Sequence, residues 1–326
     1  MRGLLLAGCA AVIGCIMPLS AYAATNYKLV KTIDLPGDKG GHGDWTTYDP
    51  QTKLVWLSQS PDHNVVVIDT AKNSIAHVIE GIPNANGIAF AGEYAFIADN
   101  DSSDVIVVGR HDFKKVATLT AVGKGPDSIN YLTKEKKIYV SSGSNDATLF
   151  GLAEPHKKEA TYKLQPEPAK DGPDIAVYVA SKDKIYQPVD TVVDVIDAPT
   201  GKISAVWDVG ITSAAKAAAY DPKTNHLIVG TAEKLVMVID ADTGKLVAKV
   251  PVAGAVDATI IDPGTRRAFE GDKSGVVDII DLDSNKVVDS LPSEKNTHTL
   301  AVNTDSHAIY VYRNESNKVD VFEPVM

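Results

Sequence analysis

An all-β chain, folded as a seven-bladed β-propeller and closed by pairing its N-terminal strand with the last blade, is predicted from three observations. After residue 24 no segment carries an extended apolar period of 3.6, whereas short runs rich in Val, Ile and Tyr recur between Gly, Pro, Asn and Asp. One phrase returns seven times at a spacing near 42 residues. The last unit stops one strand short, and a strand of the missing type stands at the other end of the chain.

The elements follow in order from that repeat. VVVIDTAKNS from Val65, VDVIDAPTGK from Val193, VMVIDADTGK from Val236 and VDIIDLDSNK from Val277 are strong copies of the third strand. Weaker ones begin at Val105, Thr148 and Val319. Their equivalent positions Asp69, Gly109, Gly151, Asp197, Asp240, Asp281 and Glu323 are separated by 40, 42, 46, 43, 41 and 42 residues. A second strand precedes each phrase, beginning at Leu54, Tyr94, Lys137, Lys184, His226, Arg267 and Ala308, and an outer strand such as that from Leu246 follows it. Gly201 and Gly244 suit the positive φ of the intervening turns, and Asn73 and Asn285 tolerate it. The repeated Asp69, Asp197, Asp240 and Asp281 sit where a carboxylate accepts turn N–H groups, so they read as turn residues. With the opening strand, each unit holds four strands, the content of a propeller blade. The Ala-rich run Ala214 to Ala219 has helical propensity, but the repeat demands a strand there, and packing context overrides propensity. Blades are expected near 42–81, 82–123, 124–166, 167–210, 211–254, 255–294, and 295–326 completed by 26–37, the segment that matches the outer-strand pattern.

Ahead of this single domain, Gly3 to Ala24 form an uncharged apolar stretch behind Arg2, ending in Ala21-Tyr22-Ala23. Residues 1–23 read as a signal peptide cleaved after Ala23, which implies a periplasmic or secreted protein with no membrane span once the signal is removed. A retained anchor, or a lipoprotein attached through Cys15, is the rival reading. Both cysteines lie in this leader, so thiolate nucleophiles, Cys-ligated metals and disulfides are excluded from the remaining 303 residues. The net charge of −10 and the lack of any basic run make nucleic acid an unexpected partner.

The units resemble the YVTN β-propeller repeats, named for a Tyr-Val-Thr-Asn strand followed by a Val-Ile-Asp-Thr strand. Ile138-Tyr139-Val140-Ser141-Ser142, Ile309-Tyr310-Val311 and Val67-Ile68-Asp69-Thr70 carry the likeness, and Gly125-Pro126-Asp127 and Gly172-Pro173-Asp174 match the family's turn into the first strand. The resemblance covers nearly all of 26–326 and is closest to the secreted bacterial YncE-like group. It departs in blade 3, whose third strand lacks the Asp, and the full Tyr-Val-Thr-Asn tetrapeptide never occurs. It implies a fold, since the family carries no single activity.

Aligning the opening strands isolates one column, Asp44, Asn86, Asp127, Asp174, Lys216, Asp257 and His298, with steps of 42, 41, 47, 42, 41 and 41 residues. The opening strand of a blade is innermost, so these seven polar residues are expected to ring the mouth of the central channel and to bind a ligand there, or else to hydrogen-bond neighbouring blades. Asp62, His63, Asp101, Asp146, Asp190, Glu233, Asp272 and Glu315, in the loops between second and third strands, are expected to surround the mouth. Glu270 stands in an otherwise apolar column and needs a partner. Arg313 and the cluster His42, Asp44, Asp257, Glu270 and His298 bring titratable groups to blades 6, 7 and 1, where a divalent metal, Ca by its carboxylates or Zn by its imidazoles, is the cofactor the residues would suit. Trp45, Trp56 and Trp207 are expected between blades, with Trp45 nearest the mouth.

No Gly-x-Ser-x-Gly elbow, His-Glu-x-x-His, phosphate-binding Gly-x-x-x-x-Gly-Lys-Ser/Thr or Gly-x-Gly-x-x-Gly occurs. The expected function is a binding or interaction scaffold whose acidic mouth takes a small ligand, cation or protein partner. Two alternatives stand beside it: a metal-assisted lactonase or esterase with Asp257 or Glu270 as base, and an accessory protein of a periplasmic redox system.

Overall fold

The computed structural model describes residues 26–37, 43–120 and 122–325, and the leader with its cysteines lies outside them. Twenty-eight strands form seven four-stranded antiparallel sheets arranged as the blades of a β-propeller. The innermost strands are Thr46–Asp49, Ala85–Ala91, Pro126–Leu132, Val177–Val179, Ala215–Asp221, Val256–Asp262 and Leu300–Asn303. The Ala-rich segment is a strand, Ala215–Asp221, paired along Leu227 and Ile228 in the fifth blade.

Burial grades outward as the layering requires. Second strands such as Lys137–Ser142 are buried at every position but the first. Each blade packs another blade on both faces, so near-continuous apolar runs replace the alternation of a one-sided sheet. Outer strands alternate, as Lys202–Asp208 does along its whole length. The core is therefore divided among blade interfaces: Trp56, Val65 and Val67 of blade 1 meet Ile88, Ile97 and Ile106 of blade 2 in one such cluster.

The hairpins between third and outer strands show the expected turn chemistry. Gly201 and Gly244 both adopt φ +70, and Asn73 and Asn285 adopt φ 48 and 54. Asp69 Oδ1 accepts from the N–H groups of Ala71 and Lys72, and Asp240 Oδ1 from those of Asp242 and Thr243. Asp197 accepts from the Thr200 hydroxyl, and Asp281 from Ser284 N–H and Oγ–H.

The ring closes through its two ends. Tyr27–Asp34 pairs antiparallel with Lys318–Pro324, so the last sheet combines one strand from the start of the described chain with three from its end. The segment leaving that strand is clamped between blades 7 and 1, because Gln59 Nε2 and Asn317 Nδ2 both donate to the Pro36 carbonyl, at 2.8 and 3.1 Å.

The innermost strands depart from a uniform four-strand repeat. In blades 2, 3, 5 and 6 the register shifts between Ala85 and Ile88, Pro126 and Ile129, Ala215 and Ala217, and Val256 and Ala258. In blades 1, 4 and 7 the innermost strand is shorter and begins two or three residues after the aligned polar position. Both devices do the same thing, taking the aligned polar residue out of the ladder where the strand meets the channel.

Candidate functional site

The residues released from the ladder are Asn86, Asp127, Lys216 and Asp257 at the bulges, and Asp44, Asp174 and His298 ahead of the shortened strands. A bulge breaks the pleat and re-aims a side chain that would otherwise face a neighbouring blade. All seven line one cavity of about 350 Å3 at the channel mouth. Gly87 permits the closest approach, since a Cβ there would lie 2.3 Å from the Asp127 carbonyl oxygen, and this draws Asn86 against blade 3.

Trp45, Asn100, Asp171 and Lys273 also line the cavity. Lys273 immediately follows Asp272 in a second-to-third-strand hairpin, and Asp171 belongs to the connection that makes the blade 3 to blade 4 step the longest. Alignment on the innermost strands overlooked both. The eight loop residues expected around the mouth do not line the cavity. Several instead anchor the segment entering the next blade: Asp190 accepts from the N–H groups of Lys170 and Asp171, and Glu233 from those of Thr212 and Ser213. A carboxylate beside unpaired backbone N–H groups is engaged by them before it can face solvent.

Within the cavity the charges are sorted into pairs. Lys216 Nζ lies 3.1 Å from Asp174 Oδ2, and Lys273 Nζ lies 2.7 Å from Asp257 Oδ2. The imidazole of His298, 5% exposed, places Nε2 3.3 Å from Asp44 Oδ1 and Nδ1 3.9 Å from Asp257 Oδ2, and Asn314 Nδ2 approaches Nε2 at 3.0 Å. Asn86 Nδ2 donates to Asp127 Oδ1 at 3.0 Å, but the Asn86 Oδ1 atom, buried with its residue 5% exposed, has no hydrogen-bond partner among the described residues.

The electrostatics follow from crowding five carboxylates against two ammonium groups. Burial, then the charges of Asp174 and Asp44, push the Asp127 carboxyl well above the ordinary aspartate range, against the opposing Asn86 hydrogen bond and Lys216. Burial also raises Asp174; Lys216 opposes this, and Asp257 adds to it. Desolvation lowers Lys216, but Asp174 and Asp257 outweigh it and hold the ammonium form.

The metal cluster suggested by the sequence does not assemble among the described residues. His42 lies outside them. Glu270 is fully buried and absent from the cavity wall. Its Oε2 accepts from Thr259 Oγ1 at 2.6 Å, on the face that packs blade 5, where Gly230 leaves room: a Cβ there would lie 2.6 Å from the same Thr259 oxygen. A second-strand side chain at this register points into a blade interface and not along the axis. Asp44, Asp257 and His298 do meet, but with both ring nitrogens directed at carboxylates, and no group of three or more described His, Asp or Glu residues is arranged to hold a metal ion. Arg313 pairs with Glu294 at 2.5 Å and does not line the cavity. Trp56 is fully buried, and Trp207 packs between blades 4 and 5.

No protein-family model matches the chain, and no curated protein matches it. The fold and the cavity therefore define the class of protein on their own: a seven-bladed β-propeller with a polar, predominantly acidic channel mouth. Among the described residues no helix is long and apolar enough to cross a membrane.

Proposed function

We propose that this propeller is a binding scaffold whose ligand seat is the channel mouth. One observation carries the reading: seven blades each contribute a polar residue, at one register and freed from the strand ladder, to a single cavity of about 350 Å3. The volume suits a small molecule or one side chain of a protein partner. A ring serving blade cohesion alone has no need to leave a buried acceptor oxygen, Asn86 Oδ1, without a partner among the described residues. The repeat phrases support placing the chain as a divergent member of the YVTN, YncE-like propellers. The apolar leader supports export to the periplasm or beyond, which N-terminal sequencing of the mature protein tests by finding Ala24 first.

Ligand protection against thermal unfolding, across a panel of cationic, anionic and neutral small molecules, tests the seat. At least one compound is expected to raise the melting temperature of the native protein and to lose that effect when Asp44, Asp257 and His298 are replaced by alanine. Shifts that survive the triple replacement would place the seat elsewhere.

A further inference from the structure

We propose that the rim of blades 5, 6 and 7 docks the propeller on a lipid surface bearing anionic headgroups. The proposal is independent of the channel mouth and stands whether or not that cavity binds a ligand.

All seven outer strands carry a bulge near their start, and in each the extra residue has no partner in the ladder. It is Ala76, Val116, Glu159 and Ser204 in blades 1 to 4. In blades 5, 6 and 7 it is Val247, Val288 and Val30. Glu159 and Ser204 show that the bulge itself has no need of an apolar side chain. Yet three consecutive blades place an aliphatic pair there, Leu246-Val247, Val287-Val288 and Leu29-Val30, with every member 36–53% exposed. Six aliphatic side chains held in water at one register are unfavourable unless something covers them.

Charge and chain path indicate what covers them. The strands Leu246–Pro251, Lys286–Pro292 and Tyr27–Asp34 hold Lys249, Lys286, Lys28 and Lys31, all exposed, against two acids, Asp289 and Asp34. Both acids are engaged by the protein itself: Asp34 pairs with Lys318 at 2.8 Å, and Asp289 accepts from the N–H groups of Asn26 and Ser290. A chain of net charge −10 thus turns a strip of lysines and aliphatic side chains outward on one arc. At a membrane, lysine stems lie along apolar surface and lift their ammonium groups to phosphates, while aliphatic side chains enter the boundary beneath. The hydrogen bond from Asn26 to Asp289 also fixes where the preceding chain arrives, so the apolar stretch Gly3 to Ala24 joins the propeller within this arc.

Other occupants fit this surface less well. The bulges interrupt the outer edges, which disfavours strand addition by a peptide. A second copy meeting the same arc through a two-fold axis would set lysines against lysines.

Vesicle flotation tests the proposal on the chain beginning at Ala24, with phosphatidylcholine alone and with equal parts of phosphatidylcholine and phosphatidylglycerol. The mixed vesicles should bind at least about tenfold more tightly than the neutral ones, and added salt should release the protein. Replacing Val30, Val247 and Val288 together by serine, the residue that blade 4 uses at this register, should weaken binding by at least about tenfold, whereas Val116→Ser in blade 2 should leave it unchanged. Because both cysteines lie in the leader, the variants V247C and V116C each accept an environment-sensitive fluorophore at a single site. On mixed vesicles the V247C label should brighten and shift to the blue and the V116C label should not, a readout that does not depend on how the serine variant folds. No binding to mixed vesicles, equal binding to neutral ones, unchanged binding of the natively folded serine variant, or equal responses of the two labels would each overturn the lipid dock. So would a dimer of the lipid-free protein, detected by sedimentation equilibrium, that the serine replacements dissociate, since it would assign the arc to a second copy.

Discussion

Glu270 shows what a single substitution in the repeat does when its neighbours are unprepared. In blade 4 the equivalent second-strand residue is Gln187, whose Nε2 donates to the carbonyls of Asp174 and Pro188 and whose Oε1 accepts from Tyr139 at 2.8 Å. Blade 6 puts a carboxyl in that environment, fully buried, with Oε1 lacking a partner among the described residues. Burial, opposed by the Thr259 hydrogen bond and reinforced by Asp278 and Asp272, raises its pKa to about 8. The folded chain thus keeps a proton that the unfolded chain loses near its ordinary value of 4.5, and stability falls as pH rises between those values. Glu270→Gln removes the penalty: it should stabilise by about 3 kcal/mol at pH 7, by much less at pH 5, with the gain levelling off above pH 8. Denaturant titrations of both proteins at pH 5, 7 and 8 check this, and a pH-independent difference would contradict it. The anomaly was legible in the sequence as a carboxylate in an apolar column; the direction it faces was not, because facing depends on strand register.

At the scale of elements, neighbouring blades are clasped by hydrogen-bonded aspartates at the far end of the innermost strands. Asp49 at the end of Thr46–Asp49 is fully buried and bonded by the Arg110 guanidinium of blade 2, which also donates to the Gly92 carbonyl and lies over the Phe90 ring. Asp221 receives Arg266 of blade 6 at 2.6 Å, and Asp262 receives His307 of blade 7 at 2.7 Å. Removing one partner strands the other in a dry interface. Arg110→Met should therefore cost about 3–5 kcal/mol, and adding Asp49→Asn should recover part of the loss, a coupling a double-mutant cycle in urea would measure. Additive losses would show that the pair contributes nothing jointly. The partners of Asp49, Asp221 and Asp262 lie 61, 45 and 45 residues away and are two arginines and a histidine, so no common residue type marks them in the sequence. The bulges were also invisible, since the residues that form them, such as Asn86-Gly87 and Asp127-Ser128, have no common composition.

For the whole molecule, the joint between first and last strands holds the disc shut. Without Tyr27–Asp34 the third strand Lys318–Pro324 becomes an open edge, and Val319 and Val321, now fully buried, lose cover. A chain starting at residue 36 should melt at a lower temperature and self-associate through the exposed edge, and a peptide spanning residues 26–37 added in trans should return it to a monomer. Size-exclusion chromatography with and without the peptide reads the outcome; a monomeric truncation with native stability would show that the joint is dispensable. The sequence by itself determined the all-β class, the seven blades, the closing strand and the column of residues that rings the mouth, because strand length, turn chemistry and repeat period are properties carried along the chain. Only the tertiary structure decided that Lys273 and Asp171 join that ring, that Glu270 turns away from it, that Lys216 serves Asp174, and that the Asn86 oxygen is left waiting. Those outcomes depend on how each blade is rotated and bulged against the next, and contacts made across 40 or more residues leave no periodic trace in the chain that makes them.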